Sequence, residues 1–165
     1  MTQYTMMPSP VGELLLAGSA DALEVIGFSI GHKARSAELE WERADQPFRR
    51  VRKQLEEYFA GARQVFEVDL KPAATPFQAS VLAELQNIPY GKTCSYLEIA
   101  QALGKPKAAR AVGTANGNNP IPIIIPCHRV VGSNGSLTGF GGGLPNKRLL
   151  LDLEASNAGC LPDQV

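Results

Sequence analysis

The sequence predicts an α/β chain in two parts, a small sheet-and-helix unit over residues 1–72 and a mainly helical unit over residues 75–156. Three observations lead there. Strand-like apolar runs are confined to the first seventy residues, helix caps recur after residue 74, and Lys71-Pro72-Ala73-Ala74 separates the two textures. At 165 residues the chain can bury a real core as one compact domain or two small packed ones.

Residues 13–18 and 23–29 are apolar and β-prone, and Ser19-Ala20-Asp21 between them predicts a hairpin. Residues 48–59 place Val51, Leu55, Tyr58 and Phe59 on one face and charged side chains on the other, as an amphipathic helix does, with Gly61 as its stop. Over residues 65–70, Phe66, Val68 and Leu70 alternate as in a half-buried strand. None of these residues suggests chemistry, so the first part reads as a supporting core. Beyond the linker, Thr75, Pro76 and Gln78 supply an N-cap, a proline at the first helical position and an amide three residues after the cap. That helix carries Phe77, Val81, Leu82 and Leu85 inward and ends at Ile88-Pro89-Tyr90-Gly91. Ser95 and Glu98 make a second capping box, opening a helix with Leu97, Ala100 and Leu103 on its apolar side and Gly104 as its end. Pro106 starts the next helix, which stops near Gly117. A last one covers about residues 145–154, with Leu149, Leu150 and Leu153 for the core.

The bulk composition narrows the function. With 44% hydrophobic residues, 19% charged and a formal net charge of zero, the chain is no basic coat for nucleic acid. The charge is uneven, however: residues 74–154 hold seven Lys or Arg against four Asp or Glu, and residues 1–73 hold nine against eleven. The mildly basic second part is compatible with DNA contact. No apolar run approaches the roughly 18–20 residues that cross a bilayer. The start, MTQYTMMPSP, has neither the basic nor the apolar region of a secretory signal. A cytoplasmic protein without membrane contact is expected. Cys94, Cys127 and Cys160 are odd in number and irregular in spacing, unlike a disulfide framework. With no CxxC pair and only His32 and His128 as histidines, no metal site is expected, and no cofactor motif occurs.

Two segments carry chemistry. The Gly104-centred turn between helices has the outline of a helix-turn-helix. Its second helix is thin, with Ala108, Ala109, Ala111, Gly113 and Ala115, and basic at its start through Lys105, Lys107 and Arg110. A thin helix can approach a phosphodiester backbone, although small residues equally serve tight helix packing. The second segment is Asn119-Pro-Ile-Pro-Ile-Ile-Ile-Pro-Cys127-His128-Arg129-Val130. A thiol becomes a nucleophile as thiolate, which needs a base or a positive field nearby, and His128 adjoins Cys127. Taken alone, Cys127 also reads as a buried structural cysteine, which is the default for Cys94 and Cys160.

IPCHRVV, the NPIPIII run before it and the GFGGG turn after it resemble the O6-alkylguanine-DNA alkyltransferase family. The match runs back through IPYGKTCSYLEIAQALGKPKAARAVGTANGNNP and forward to NKRLLLDLE. The resemblance implies a ribonuclease H-like first part and an alkyltransferase-type helix-turn-helix second part. It further implies a single-turnover repair activity that moves an alkyl group from guanine O6 onto Cys127. His128 would relay the thiol proton through a water molecule, Glu154 would orient His128, and Asn119 would brace the active-site turn. Arg129 is read as structural. Tyr96 would crowd the target phosphate, and Arg110 would fill the gap left by the extruded base. Lys107, Ala109, Gly113 and Asn116 would complete the DNA-facing helix, which in this family lies in the minor groove. Phe140, Gly141, Val130 and Tyr96 would wall the base pocket. Phe140 stands where many relatives have Tyr and Gly141 where some have Ser, which bears on the size of adduct accepted.

The expected partner is alkylated duplex DNA, bound by a protein that is a monomer in solution. Action on O4-alkylthymine and cooperative assembly on DNA stay open. No residue offers a route to cleave the product thioether, so each molecule acts once. Three rivals are weighed against this reading: a damage sensor of the alkyltransferase-like kind, which lacks the reactive Cys; a Cys-His hydrolase, which leaves the thin helix unexplained; and a plain DNA-binding regulator, which needs neither Cys127 nor Glu154.

Overall fold

The computed structural model describes residues 2–31 and 33–159, so His32 and Cys160 lie outside the described residues. The first part is a four-stranded sheet backed by a helix, with strand order β3-β2-β1-β4. The strands are β1 (Gln3–Met7), β2 (Leu14–Gly18), β3 (Leu23–Phe28) and β4 (Glu42–Arg43). β2 and β3 form the expected antiparallel hairpin, closed by Ser19 N–H donating to the Ala22 carbonyl at 3.1 Å. β1 was not foreseen. It pairs antiparallel to β2 and parallel to the short β4, which places the apolar β2 between two strands. Helix α1 (Arg49–Phe59) follows a 3-10 turn at Gln46–Phe48 and buries Val51, Leu55 and Tyr58.

The strand expected at residues 65–70 does not form. Its side chains do alternate onto the core, with Phe66, Val68 and Leu70 packed there. Its backbone, however, is engaged otherwise. Gln54 on α1 accepts from Glu67 N–H at 2.8 Å and donates to the Glu67 carbonyl at 3.3 Å, so both groups are spent on a side chain. Only its end touches β3, through an isolated bridge between Leu23 and Leu70.

The second part holds α2 (Pro76–Leu85), α3 (Tyr96–Ala102), α4 (Ala109–Gly117) and α5 (Leu144–Asn157). A two-stranded parallel pair, β5 (Cys94–Ser95) with β6 (Val130–Val131), ties the start of α3 to the segment after Cys127. Thr75 caps α2 by accepting from Gln78 N–H at 3.2 Å, but the Gln78 side chain donates to the Asn118 carbonyl at 3.0 Å instead of closing a box. The Ser95–Glu98 box forms in both directions. α3 buries Ile99 and Ala100, while Leu97 is 40% exposed rather than on the core side. It ends in a Schellman motif: Gly104 N–H bonds the Gln101 carbonyl and Lys105 N–H the Ala100 carbonyl, with Gly104 at φ +72°. α4 begins at Ala109, after a turn over 105–108, so Lys107 precedes the helix instead of lying in it.

The two parts share one continuous core. Leu14 and Leu16 of the sheet, Leu55 of α1, Leu82 and Leu85 of α2, Val112 of α4, Ile121 and Ile125 of the connecting loop and Leu150 of α5 all belong to it. Ile26 N–H on the open side of β3 donates to the Pro120 carbonyl at 2.9 Å, joining the sheet edge to the loop that leads to Cys127. Among the described residues no helix is long and apolar enough to cross a membrane.

Candidate active site

The turn that presents Cys127 is built by a strained loop and a proline. Asn119 staples residues 121–125, accepting from Ile121 N–H at 2.9 Å and donating to the Ile125 carbonyl at 2.8 Å. Inside that staple Ile123 sits at φ +76°, a left-handed conformation that a β-branched residue rarely adopts. Burial of Ile123 and the Asn119 clamp hold it there. Pro126 follows at φ −80°, ψ 65°, the inverse γ-turn its ring favours, and Cys127 N–H closes that turn on the Ile125 carbonyl at 2.7 Å. Cys127–Arg129 then makes one 3-10 turn, which replaces the alternation of a strand and allows Cys127 and His128 to serve one site.

Behind the thiol lies a buried polar cluster centred on Glu154 of α5. Its Oε2 accepts from His128 Nε2 at 2.7 Å, from the Tyr58 hydroxyl at 2.6 Å and from Arg129 Nη2 at 3.0 Å. Its Oε1 accepts from Arg129 Nε at 2.8 Å and from Gly91 N–H at 3.3 Å. Arg129 Nη1 reaches the Ile88 carbonyl at 2.7 Å. Burial pushes the Glu154 carboxyl up, but the hydrogen bonds and charges of His128 and Arg129 outweigh it and hold the carboxyl down to about 2. An ionised Glu154 fixes the histidine tautomer: Nε2 carries the proton, and Nδ1 keeps its lone pair. That Nδ1 is buried and has no hydrogen-bond partner among the described residues. Burial lowers the proton affinity of His128, against the Glu154 bond that raises it.

Burial likewise pushes the Cys127 thiol up to about 11, opposed by the Asn119 side chain and the charge of Lys147. Lys147 is fully buried, donating to the carbonyls of Val130 at 2.6 Å and Thr138 at 3.1 Å. Sequence reasoning missed it, although a signal existed: Lys147, Leu150 and Glu154 recur at i, i+3 and i+7, the spacing of one helix face.

Cys127 opens onto a cleft of about 360 Å³ lined also by Asn116, Asn119, Phe140 and Gly141 of the second part and Lys33 and Arg35 of the first. Lys33 was not anticipated. Its N–H bonds the Gly141 carbonyl at 3.1 Å and its ammonium the Asn118 side chain at 2.8 Å. A Cβ on Gly141 would lie 2.7 Å from Lys33 Cβ, so the Lys33 stem occupies the space a serine would need. Val130 and Tyr96 do not line this cleft. The Val130 side chain is buried in the core, and Tyr96 packs beside Gly113 with its hydroxyl bonded to Thr138. Asn116, expected on the DNA face, is instead buried and donates to the Cys127 carbonyl at 3.4 Å. The exposed side of the motif carries Lys107 and Arg110, with Ala109 and Gly113 partly covered. Among the described residues no group of three or more His, Cys, Asp and Glu could hold a metal ion.

Residues 76–156 match the family model described as 6-O-methylguanine DNA methyltransferase, DNA binding domain, and residues 2–72 match the ribonuclease-like domain of the same family. The chain belongs to this family. It is 49% identical over 153 residues to the methylated-DNA–protein-cysteine methyltransferase of Methanosarcina acetivorans, covering 93% of this chain and 98% of the relative. The methyltransferase of Mycobacterium tuberculosis is 46% identical over 158 residues, at 96% and 95% coverage. The crystal structure of O6-methylguanine methyltransferase from M. tuberculosis superposes with a TM-score of 0.88 over 95% of this chain and 94% of that one. The OGT of that organism in complex with DNA gives the same TM-score at 46% identity, over 94% of each chain. This methyltransferase fold therefore extends over both parts of the chain.

Proposed function

We propose that this member of the methyltransferase family repairs O6-alkylguanine in duplex DNA by taking the alkyl group onto Cys127, once per molecule. The observation that carries the reading is a thiol at the wall of an open cleft, in the same 3-10 turn as a buried histidine whose Nδ1 lone pair is unspent. Glu154 holds the Nε2 proton, so His128 Nδ1 accepts the thiol proton through a bridging water. Sγ attacks the alkyl carbon; the S–C bond forms as the C–O6 bond breaks, and the electron pair stays on guanine O6. The proton released by the thiol balances the one that guanine regains at N1. No charge accumulates in the protein, and the thioether is the end product.

The alkyl carbon is out of reach of a buried thiol while the base is stacked, so the nucleotide must leave the helix. α4 suits a minor groove about 6 Å wide through its small residues, with Arg110 entering the stack and Tyr96 crowding the phosphate. Ala109 and Gly113 permit the approach, and Lys107 contacts the backbone. Phe140, Gly141 and Asn116 meet the flipped base, Asn116 through its unpartnered Oδ1. Residues 75–156 carry this chemistry and residues 1–72 support it. The protein acts as a cytoplasmic monomer.

The test is intact-mass spectrometry after mixing with equimolar duplex bearing one O6-methylguanine. The expected result is a gain of one methyl less one hydrogen, mapped to Cys127 and absent in Cys127→Ser. Damage-selective binding without a mass change would make the protein a sensor and overturn the reading.

A further inference from the structure

Glu154 Oε2 receives donors from both halves of the chain. His128 comes from the Cys127 turn, at 2.7 Å, and Tyr58 from α1 of the first part, at 2.6 Å and 96 residues away in sequence. Tyr58 is fully buried, and its ring is fixed edge-on by Phe59 at 5.3 Å and Tyr90 at 6.2 Å, with Phe66 tilted against it at 5.4 Å. Burial and the neighbouring Glu154 keep the phenol protonated well beyond its ordinary range, so the hydroxyl is a permanent donor. A donor this short to a carboxylate is charge-assisted and competes with any other donor to the same oxygen.

We propose that Tyr58 is a positioning residue for alkyl transfer: its hydroxyl fixes Glu154 Oε2 and tempers the pull of that oxygen on the His128 Nε2 proton. This rests on the repair reading above. The first part of the chain then does more than support, because it sets the basicity of the relay at Nδ1. The other charged and titratable groups around the pair are Arg129, bound to both Glu154 oxygens, Tyr90, whose ring lies 5.7 Å from the Arg129 guanidinium, and Lys147 and Cys127 on the thiol side. None of them donates to Oε2 except Arg129, which also holds Oε1.

Tyr58→Phe keeps the ring and removes the hydroxyl. Oε2 then accepts more strongly from His128, and His128 takes up a proton more readily. The acid limb of the single-turnover rate against pH should move upward by about half a unit to one unit. Phe66→Leu serves as the packing control: it loosens the same ring, should lower Tm, and should leave the acid limb in place. An unmoved limb in Tyr58→Phe, or an equal shift in Phe66→Leu, overturns the proposal. Titration of the His128 ring by NMR in DNA-free protein reads the same shift without turnover. If the wild type transfers no alkyl group, the repair reading fails, while a His128 midpoint raised in Tyr58→Phe and not in Phe66→Leu still sustains the coupling. An unchanged midpoint overturns it.

Discussion

Arg129→Met asks whether Glu154 is a charge that must be neutralised inside the protein. Both side chains are buried, with Arg129 7% exposed and Glu154 1%. The arginine gives two hydrogen bonds to the carboxylate, at 2.8 and 3.0 Å, and one to the Ile88 carbonyl at 2.7 Å. Methionine approximates the stem and leaves the carboxylate without its cation. Removing one partner of a buried pair costs about 3–5 kcal/mol, because the other charge stays behind unpaired. The orphaned Ile88 carbonyl adds to this, and the two costs overlap, so about 4 kcal/mol is expected. At about 2–4 °C per kcal/mol for a chain of this size, Tm should fall by about 8–16 °C. A total stability of about 5–15 kcal/mol leaves the variant measurable by urea melts at pH 7. The Arg129→Met/Glu154→Met double variant removes the orphan charge, so its loss should be smaller than the sum of the two single losses. A loss below about 1 kcal/mol in Arg129→Met, or strict additivity in the double variant, would refute the argument that a buried charge is being compensated.

Most of the secondary structure was legible because its signals are local. The Ser95–Glu98 box, the Gly104 stop and the amphipathic period of α1 each act within a turn or two, and each formed. β1 was not seen, since its two-residue partner β4 and its central neighbour β2 give it meaning only once the chain has folded. The same holds for residues 65–70, where a side-chain amide 13 residues away replaced a ladder. In the site, His128 and Glu154 are hydrogen-bonded, with Cys127 at the head of the turn that carries His128. Tyr58, Lys147 and Lys33 were hidden for three different reasons. Tyr58 looked like core because its ring is core, and only its hydroxyl tip serves the site. Lys147 stands between Asn146 and Arg148 in a polar stretch of sequence, and only its two carbonyl partners explain its burial. Lys33 lies in the other half of the chain, where no local rule connects it to Gly141.

Three further outcomes follow from charges the structure places. Lys147→Met removes the cation that favours the Cys127 thiolate while the ammonium is charged, so iodoacetamide alkylation of Cys127 near pH ~8 should slow several-fold; an unchanged rate would remove Lys147 from the electrostatics of the thiol. Lys107 is exposed before α4, and Lys107→Ala should flatten the plot of log K against log salt for duplex DNA by about one, with equal loss on undamaged sequences; an unchanged slope would take Lys107 off the phosphate backbone. The pH dependence of stability gives the last. Glu154 is held near 2 in the folded state against an ordinary 4.5, so its contribution is complete above about pH 4.5 and is lost as pH falls towards 2. The gap of 2.5 units (4.5 minus 2), at about 1.4 kcal/mol each, makes that loss about 3 kcal/mol in order of magnitude. Burial holds His128 below its ordinary 6.5, so the unfolded chain binds that proton first and stability starts to fall once pH drops below 6.5. Denaturant melts across this range should therefore show an upper decline from His128 and a lower one from Glu154. Glu154→Gln should keep the upper decline and lose about 3 kcal/mol of the lower, because an amide has no proton to take up. A lower decline as steep in Glu154→Gln as in the wild type would place the acid sensitivity on other carboxylates and break the link between this cluster and folding.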